Sequence, residues 1–202
     1  MTSSIIENSL IFSPESDPYG LSYAEWTAKW WQWVLSLPVE INPVKDTTGK
    51  NSAIKQNGPV WFLAGTIGGV VRRFCTVPSD RAILLPILNH GGTLADTPYI
   101  KLEKELLSHA ITEMDVVSNL EVSVDNVKIN GLKRHRIKSP IFDVVLPEQN
   151  LFGGTAGPTR GASDGYWLFL KPLSKGVHRI HSFGSCLSGK IRIGVYYDIT
   201  IF

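Results

Sequence analysis

The sequence predicts a mainly β protein, an antiparallel sandwich or jelly roll with a Trp-rich N-terminal helix and one further helix. Three observations carry this reading. Ile191, Ile193, Val195, Tyr197, Ile199 and Ile201 alternate strictly with Lys190, Arg192, Gly194, Tyr196, Asp198 and Thr200, the period of a half-buried strand. Roughly eight short strand-like runs are separated by Gly, Pro, Asn and Asp turn signals, as sandwiches require. Only two segments carry a helical period, and 202 residues suit a single domain spanning 1–202 with one sizeable core.

The first element is the helix of YGLSYAEWTAKWWQW, assigned to 22–37 with its cap. Ser22 and Glu25 form a capping box, in which the hydroxyl accepts from the Glu25 amide and the carboxylate reaches back to the Ser22 amide. Leu21 and Trp26 hold the spacing of a hydrophobic staple, and Pro38 ends the helix. At about 100° per residue, Trp26, Trp30, Trp33 and Leu37 form one stripe, with Tyr23 and Val34 beside it. Trp31 and Leu35 fall outside that stripe. A helix lying on one sheet buries one side, so these two residues need another cover. The candidates are the run Ile5 to Phe12, the loop before Asp164, or a second subunit, and the last makes Trp31 and Leu35 candidate self-association residues in a homo-oligomer.

Residues 40–58 read as a long polar connection, and the β-rich body runs over 58–202. GPVWFLAG and VVRRFCTVP are strand-like, with Gly68–Gly69 placed for a hairpin turn between them. RAILLPILN is a third strand, at an edge or bulged, because Pro86 cannot donate to a ladder. The second helix is assigned to about 98–118, capped by Asp96 or Thr97 with Pro98 at its first position and Leu102, Leu106, Ala110, Met114 and Val117 at helical spacing. Val122 and Val124 lead into Asp125–Asn126, a two-residue hairpin turn, and Val127 and Ile129 return. Ser139 to Ser163, rich in Pro and Gly, reads largely as loop, and Tyr166 to Leu170, apolar on both parities, as a central strand.

Composition narrows the functional classes. A formal charge of +2 with 19% charged residues implies neither nucleic acid nor an anionic membrane as partner. No apolar window is long enough for a membrane span, and MTSSIIENSLIFSPES carries no secretory signal, which places the chain in the cytoplasm by default. Two distant cysteines, Cys75 and Cys186, exclude a disulfide-dense scaffold and a four-Cys zinc site; they are two reduced thiols, as a reducing cytoplasm keeps them, or one long-loop disulfide if the strand ends meet.

The segments YGLSYAEWTAKWWQW, GPVWFLAG, CTVP followed by LLPILN, and DGYWLFLKPLSKGVHRIH together resemble a family of uncharacterised bacterial and archaeal proteins. The resemblance covers most of the chain. It implies a Trp-rich helix joined to a β-rich body and brings no activity, cofactor or catalytic residue with it.

No motif supplies chemistry. His178 and His181, three apart on a strand, point to opposite faces and cannot chelate one ion, and no zinc, calcium or nucleotide motif is present, so no metal or cofactor is expected. Cys75 reads as a small core hydrophobe, and Lys133 to Arg136 as a solvated strand edge. Asp143, Glu148, Asp164 and Asp198 are the carboxylates that a glycosidase would need to converge, and they read as solvated. No catalytic residue is assigned. The expected function is non-catalytic, through interaction and self-association. The alternative is a carbohydrate-binding or carbohydrate-active domain, with Asp164, Tyr166 and Trp167 as the binding residues for a sugar or other small molecule.

Overall fold

The computed structural model describes residues 10–202, and within them 42% of the chain is strand and 20% helix, a mainly β, sandwich-like fold. Ten strands and two long helices occur in the described residues: α1 Tyr23–Leu35, β1 Val60–Phe62, β2 Gly69–Val77, β3 Ala82–Thr93, α2 Glu103–Asp115, β4 Val117–Val124, β5 Val127–Ile129, β6 Arg136–Lys138, β7 Phe142–Leu146, β8 Gly157–Leu170, β9 Gly176–Cys186 and β10 Ile191–Ile201. Neither helix is long and apolar enough to cross a membrane.

The first sheet runs β1-β3-β8-β6, with β7 also paired to β8; the second runs β2-β10-β9-β4-β5. Both are mixed, because β1 lies parallel to β3 and β2 parallel to β10, which corrects the wholly antiparallel expectation. The Gly68–Gly69 hairpin is corrected with it: β1 and β2 belong to different sheets, so their connection is a crossover, and Gly69 enters β2 at φ +70°. Pro86 sits in an inner strand at a register shift between Pro86 and Leu88, the bulge that its missing N–H demands.

Ile83, Leu85, Leu168 and Leu170 of the first sheet meet Val122, Ile180, Val195 and Ile199 of the second in one core, as strict alternation along β8 and β10 requires. The opposite parity of β8, Trp167 and Phe169, faces α1. α1 starts as its capping box dictates, with the Ser22 amide 2.8 Å from Glu25 Oε2 and the Glu25 amide 3.3 Å from Ser22 Oγ. Each indole of the stripe donates to a backbone carbonyl of a different segment: Trp26 to Pro18, Trp30 to Leu63 and Trp33 to Ile54, all at 2.8 Å. The Asx-like side chain of Asn42 donates to Val34 O at 2.8 Å and closes the helix C-terminus.

α1 is buried on every side except that of Glu25 and Lys29. Trp31 is 5% exposed and Leu35 1% within the single chain, so neither is left for a second subunit to cover, which corrects their assignment as self-association residues. The helix lies in a trough rather than on a plane: β7 supplies Phe142, Val144 and Leu146 to the same cluster, and Phe152, in the loop before Asp164, stands 6.4 Å from Trp31. The cover is therefore intramolecular. Of the run Ile5 to Phe12, residues 5–9 lie outside the described residues, while Ile11 bridges Leu170 and Phe12 packs on Phe169.

The second helix begins at Glu103, later than expected. Asp96 is consumed in a local turn, where it accepts from Thr93 N at 2.9 Å, and Pro98 precedes the helix instead of opening it. Leu106, Ala110 and Met114 form its buried stripe. The segment expected to be mostly loop holds β7 and the first half of β8.

One buried cation ties the layers together. Arg73 points inward from β2 and is 1% exposed. Its Nε donates to Asp46 O (2.6 Å), Nη1 to Ala64 O (2.6 Å), Gly65 O (2.9 Å) and Tyr197 Oη (3.0 Å), and Nη2 to Val44 O (3.2 Å). Replacing it with Met would take the Arg73 donor from the carbonyls of Val44, Asp46 and Gly65, while Ala64 O keeps Tyr197, so Arg73→Met is expected to cost about 3 kcal/mol or more in denaturant melts, and the neighbouring, solvent-facing Arg72→Met leaves the midpoint nearly unchanged. Ser22→Ala is expected to cost about 1 kcal/mol through the lost helix cap, read from the same melts.

Candidate functional site

The bulge in β3 opens a cavity of about 430 Å³. Its floor is β3 from Pro86 to Gly92, one wall is Trp30, Trp31 and Val34 of α1, and the other is Leu106, His109 and Ala110 of α2. Tyr99 and Phe152 stand at the rim, 71% and 43% exposed. The aromatic groups form two edge-to-face sets: Trp30 and Trp31 at 5.3 Å on one side, and His90 and His109 at 5.1 Å, with Tyr99 6.2 Å from His109, on the other.

Local backbone chemistry makes the cavity possible. A Cβ on Gly91 would lie 2.8 Å from Cε2 and Cζ2 of Trp31 and 2.8 Å from Ser163 Cβ, so only glycine lets the indole settle onto β3. The indole N–H of Trp31 and the hydroxyl of Ser163 border that same contact, and neither has a hydrogen-bond partner among the described residues.

Few polar groups reach the cavity. His90 is held below its ordinary value by burial, with His109 acting in the same direction and Glu113 opposing, so it is neutral at neutral pH. Asp96 is raised by burial, against the hydrogen bonds it accepts from the amide and hydroxyl of Thr93. No Lys or Arg is among the lining residues, and no group of three or more His, Cys, Asp or Glu able to hold a metal ion occurs in the described residues.

The sequence-derived binding residues lie elsewhere. Asp164 is fully buried and carries an ion pair with Arg136, whose Nε and Nη2 lie 2.9 and 2.7 Å from Oδ2; Arg136 also bonds Asp115 at 2.7 Å, pinning the end of α2. Tyr166, 8% exposed, faces the inter-sheet core, and Trp167, fully buried, faces α1. Trp167 points to the face opposite Asp164 and Tyr166, and Asp164 is spent on Arg136, so these three form no common platform. The basic run is also corrected: Leu132–His135 is a 3-10 turn, His135 is buried, and Arg136 serves Asp164 instead of solvent. Asp198 lies on the outer face of the second sheet between Arg72 and Arg179, far from Asp164 in the first, so these carboxylates do not converge.

His178 and His181 do take opposite faces of β9: His181 stacks on Tyr196 at 4.1 Å, and His178 bonds Asp125. Asp125, His178 and Ser174 have the outline of a hydrolytic triad, but the proton inventory argues against it. Nδ1 lies 2.7 Å from Asp125 Oδ2, and Nε2 lies 2.8 Å from the Ser174 carbonyl and only 3.4 Å from its hydroxyl. Both ring nitrogens face pure acceptors, which favours imidazolium and leaves no lone pair to take a serine proton. Cys75 is no better a nucleophile, since burial pushes its thiol up to about 12, and both cysteines are free.

Comparison of the chain with protein-family models, with curated proteins and with solved structures finds no match, so these residues are the ground for any functional reading.

The His178 clasp has a definite pH signature. Burial pulls its pKa down, but the bonds to Asp125 and the Ser174 carbonyl, with the Asp125 charge, outweigh it and raise the value. A raised folded-state pKa contributes stability that is complete below the unfolded value of about 6.5 and is lost as pH rises through the folded value. The stability gap between the parent and His178→Gln is therefore expected to be wider at about pH 5.5 than at about pH 9, as read by urea melts at both.

Proposed function

We propose that the protein is a binding protein for a small organic molecule, held in the cavity between α1, β3 and α2. The observation that carries this reading is the cavity itself. Its volume of about 430 Å³ lies in the range of roughly 300 to 1,000 Å³ usual for ligand sites. Its walls are apolar and aromatic with a few convergent polar groups, as such sites require. Trp30 of α1 donates to Leu63 O, Arg136 donates to the Ile111 carbonyl of α2, and β3 is paired along β8, so the walls are pre-organised and a ligand does not bear the cost of assembling them.

A panel of small aromatic and apolar compounds, followed by indole fluorescence and thermal shift, tests this. A true ligand at about a hundred times its Kd stabilises by about 2.7 kcal/mol, a shift of roughly 5 to 10 °C for a chain of this length. His109→Trp adds bulk to one wall of the cavity and is expected to weaken the response while leaving the fold intact by circular dichroism. No response from any compound, or equal responses from parent and variant, overturns the reading.

Self-association is a second reading, and a different surface now favours it. Among the described residues no helix or strand covers the outer face of the second sheet, which exposes Val70, Phe74, Val177 and Tyr196. A second copy docked there would raise the mass measured by light scattering with concentration, and Phe74→Glu would reverse that. A parent protein that stays monomeric at high concentration removes this reading.

A further inference from the structure

We propose that the ligand of the cavity is an organic monocation, a protonated or quaternary amine carried on a small apolar ring, with Asp96 as its counter-ion. This inference rests on the cavity reading above and adds the charge of the ligand. Three observations support it, and they are independent of one another.

The first is the charge of the lining. Among the described lining residues Asp96 is the one Asp, Glu, Lys or Arg, and it has no ion-pair partner among the described residues. A carboxylate offers about four lone-pair sites. Here Oδ1 accepts from Thr93 N at 2.9 Å and Oδ2 from Thr93 Oγ1 at 3.0 Å, so acceptor capacity is left over on a partly buried anion. Burial raises its pKa, which is the response of a carboxyl that lacks a neighbouring cation.

The second is the aromatic composition of the walls. The faces of Trp, Tyr and Phe carry the negative part of the ring quadrupole and attract cations, most strongly where water is excluded. Trp30, Trp31, Tyr99 and Phe152 contribute four such rings around one cavity. An anion would meet the same rings unfavourably and would find no Lys or Arg to replace its lost hydration.

The third is where the nearest buried cation sits. Arg73 lies behind Gly65 and Val44, which border the Pro86 end of the floor: a Cβ on Gly65 would be 3.5 Å from Pro86 Cγ. Asp96 borders the other end, with Oδ1 2.9 Å from a Cβ built on Gly92. Six residues of strand separate those ends, about 20 Å at 3.3 Å per residue. The guanidinium is also screened, since its donors are taken by carbonyls and Tyr197. The cations nearer the Asp96 end are spent elsewhere: Arg160, whose carbonyl accepts from Leu94 N, pairs with Glu103 and Asp143, and Arg136 with Asp164 and Asp115, so neither of them pairs with Asp96. His90 does not compensate it, being neutral for the reason given above.

Benzylamine, benzyl alcohol and benzoate present one ring with three charges, and calorimetric titration of the full chain at neutral pH ranks them. Benzylamine is expected to bind at least about tenfold more tightly than benzyl alcohol, the usual gain from a charge-assisted bond, and benzoate more weakly than either. Asp96→Asn keeps an acceptor for Thr93 N and is expected to erase the preference for benzylamine over benzyl alcohol. Phe152→Leu, at a half-exposed rim position that keeps its bulk, is expected to weaken benzylamine more than benzyl alcohol. Benzyl alcohol or benzoate binding as tightly as benzylamine overturns the inference and leaves the cavity reading standing, whereas silence from all three, together with silence from the wider panel, removes both. Should Asp96→Asn fail to fold, the ranking of the three probes on the parent protein and the Phe152→Leu comparison still decide the matter.

Discussion

The structure depends first on where Arg73 places its five donors. A buried guanidinium normally requires a carboxylate, and among the described residues Arg73 has none. Its charge is spread instead over the carbonyls of Val44, Asp46, Ala64 and Gly65 and the hydroxyl of Tyr197. Tyr197 in turn donates to Ala64 O and accepts from Ala64 N, so one side-chain pair on adjacent strands of the second sheet fixes the chain leaving β1 in the first. The 44–46 connection is fixed by the same group. Its turn is stabilised separately, because the Asp46 carboxylate accepts from the amides of Thr48, Gly49 and Asn51. Lose the guanidinium and the two sheets keep their apolar core, but the segments that frame the cavity mouth lose their anchor.

α1 is the second dependent element. It is attached by indole N–H groups that double as fasteners: Trp30 donates to Leu63 O, one residue before the Arg73 nexus. This links the aromatic layer to the polar one. Dispersion and area burial hold the helix against Trp167 and Phe169, while the directional bonds set its rotation about its own axis. With rotation fixed, Trp31 has one available place, the surface of Gly91, and the cavity is the space left between that indole and α2.

α2 is held by electrostatics of a different kind. Arg136 bridges Asp164 on β8, Asp115 at the helix C-terminal end and the Ile111 carbonyl. Asp164 is fully buried and paired, which is how a charged strand residue is tolerated inside a sandwich. The contrast with Asp96, which lines the cavity and lacks a cation, separates a carboxylate used for structure from one left with spare acceptor capacity.

How much of this was legible in the sequence follows from the range of the interactions. The capping box of Ser22 and Glu25, the Asp125–Asn126 hairpin, the alternation of β10 and the opposed faces of His178 and His181 are local, set within about four residues by backbone geometry, and the sequence alone determined them. The mainly β class follows from the same periodicities. Parallel pairing of β1 with β3, the trough that buries Trp31 and Leu35, the inward turn of Arg73 and the meeting of His90 with His109 were decided only by the tertiary structure. Each joins residues of different elements, and Tyr166 and Trp167 show the converse: neighbours in sequence that the strand sends to opposite sides. Residue spacing encodes direction along one element, whereas convergence depends on how the sheets and helices pack, and no local pattern carries that information.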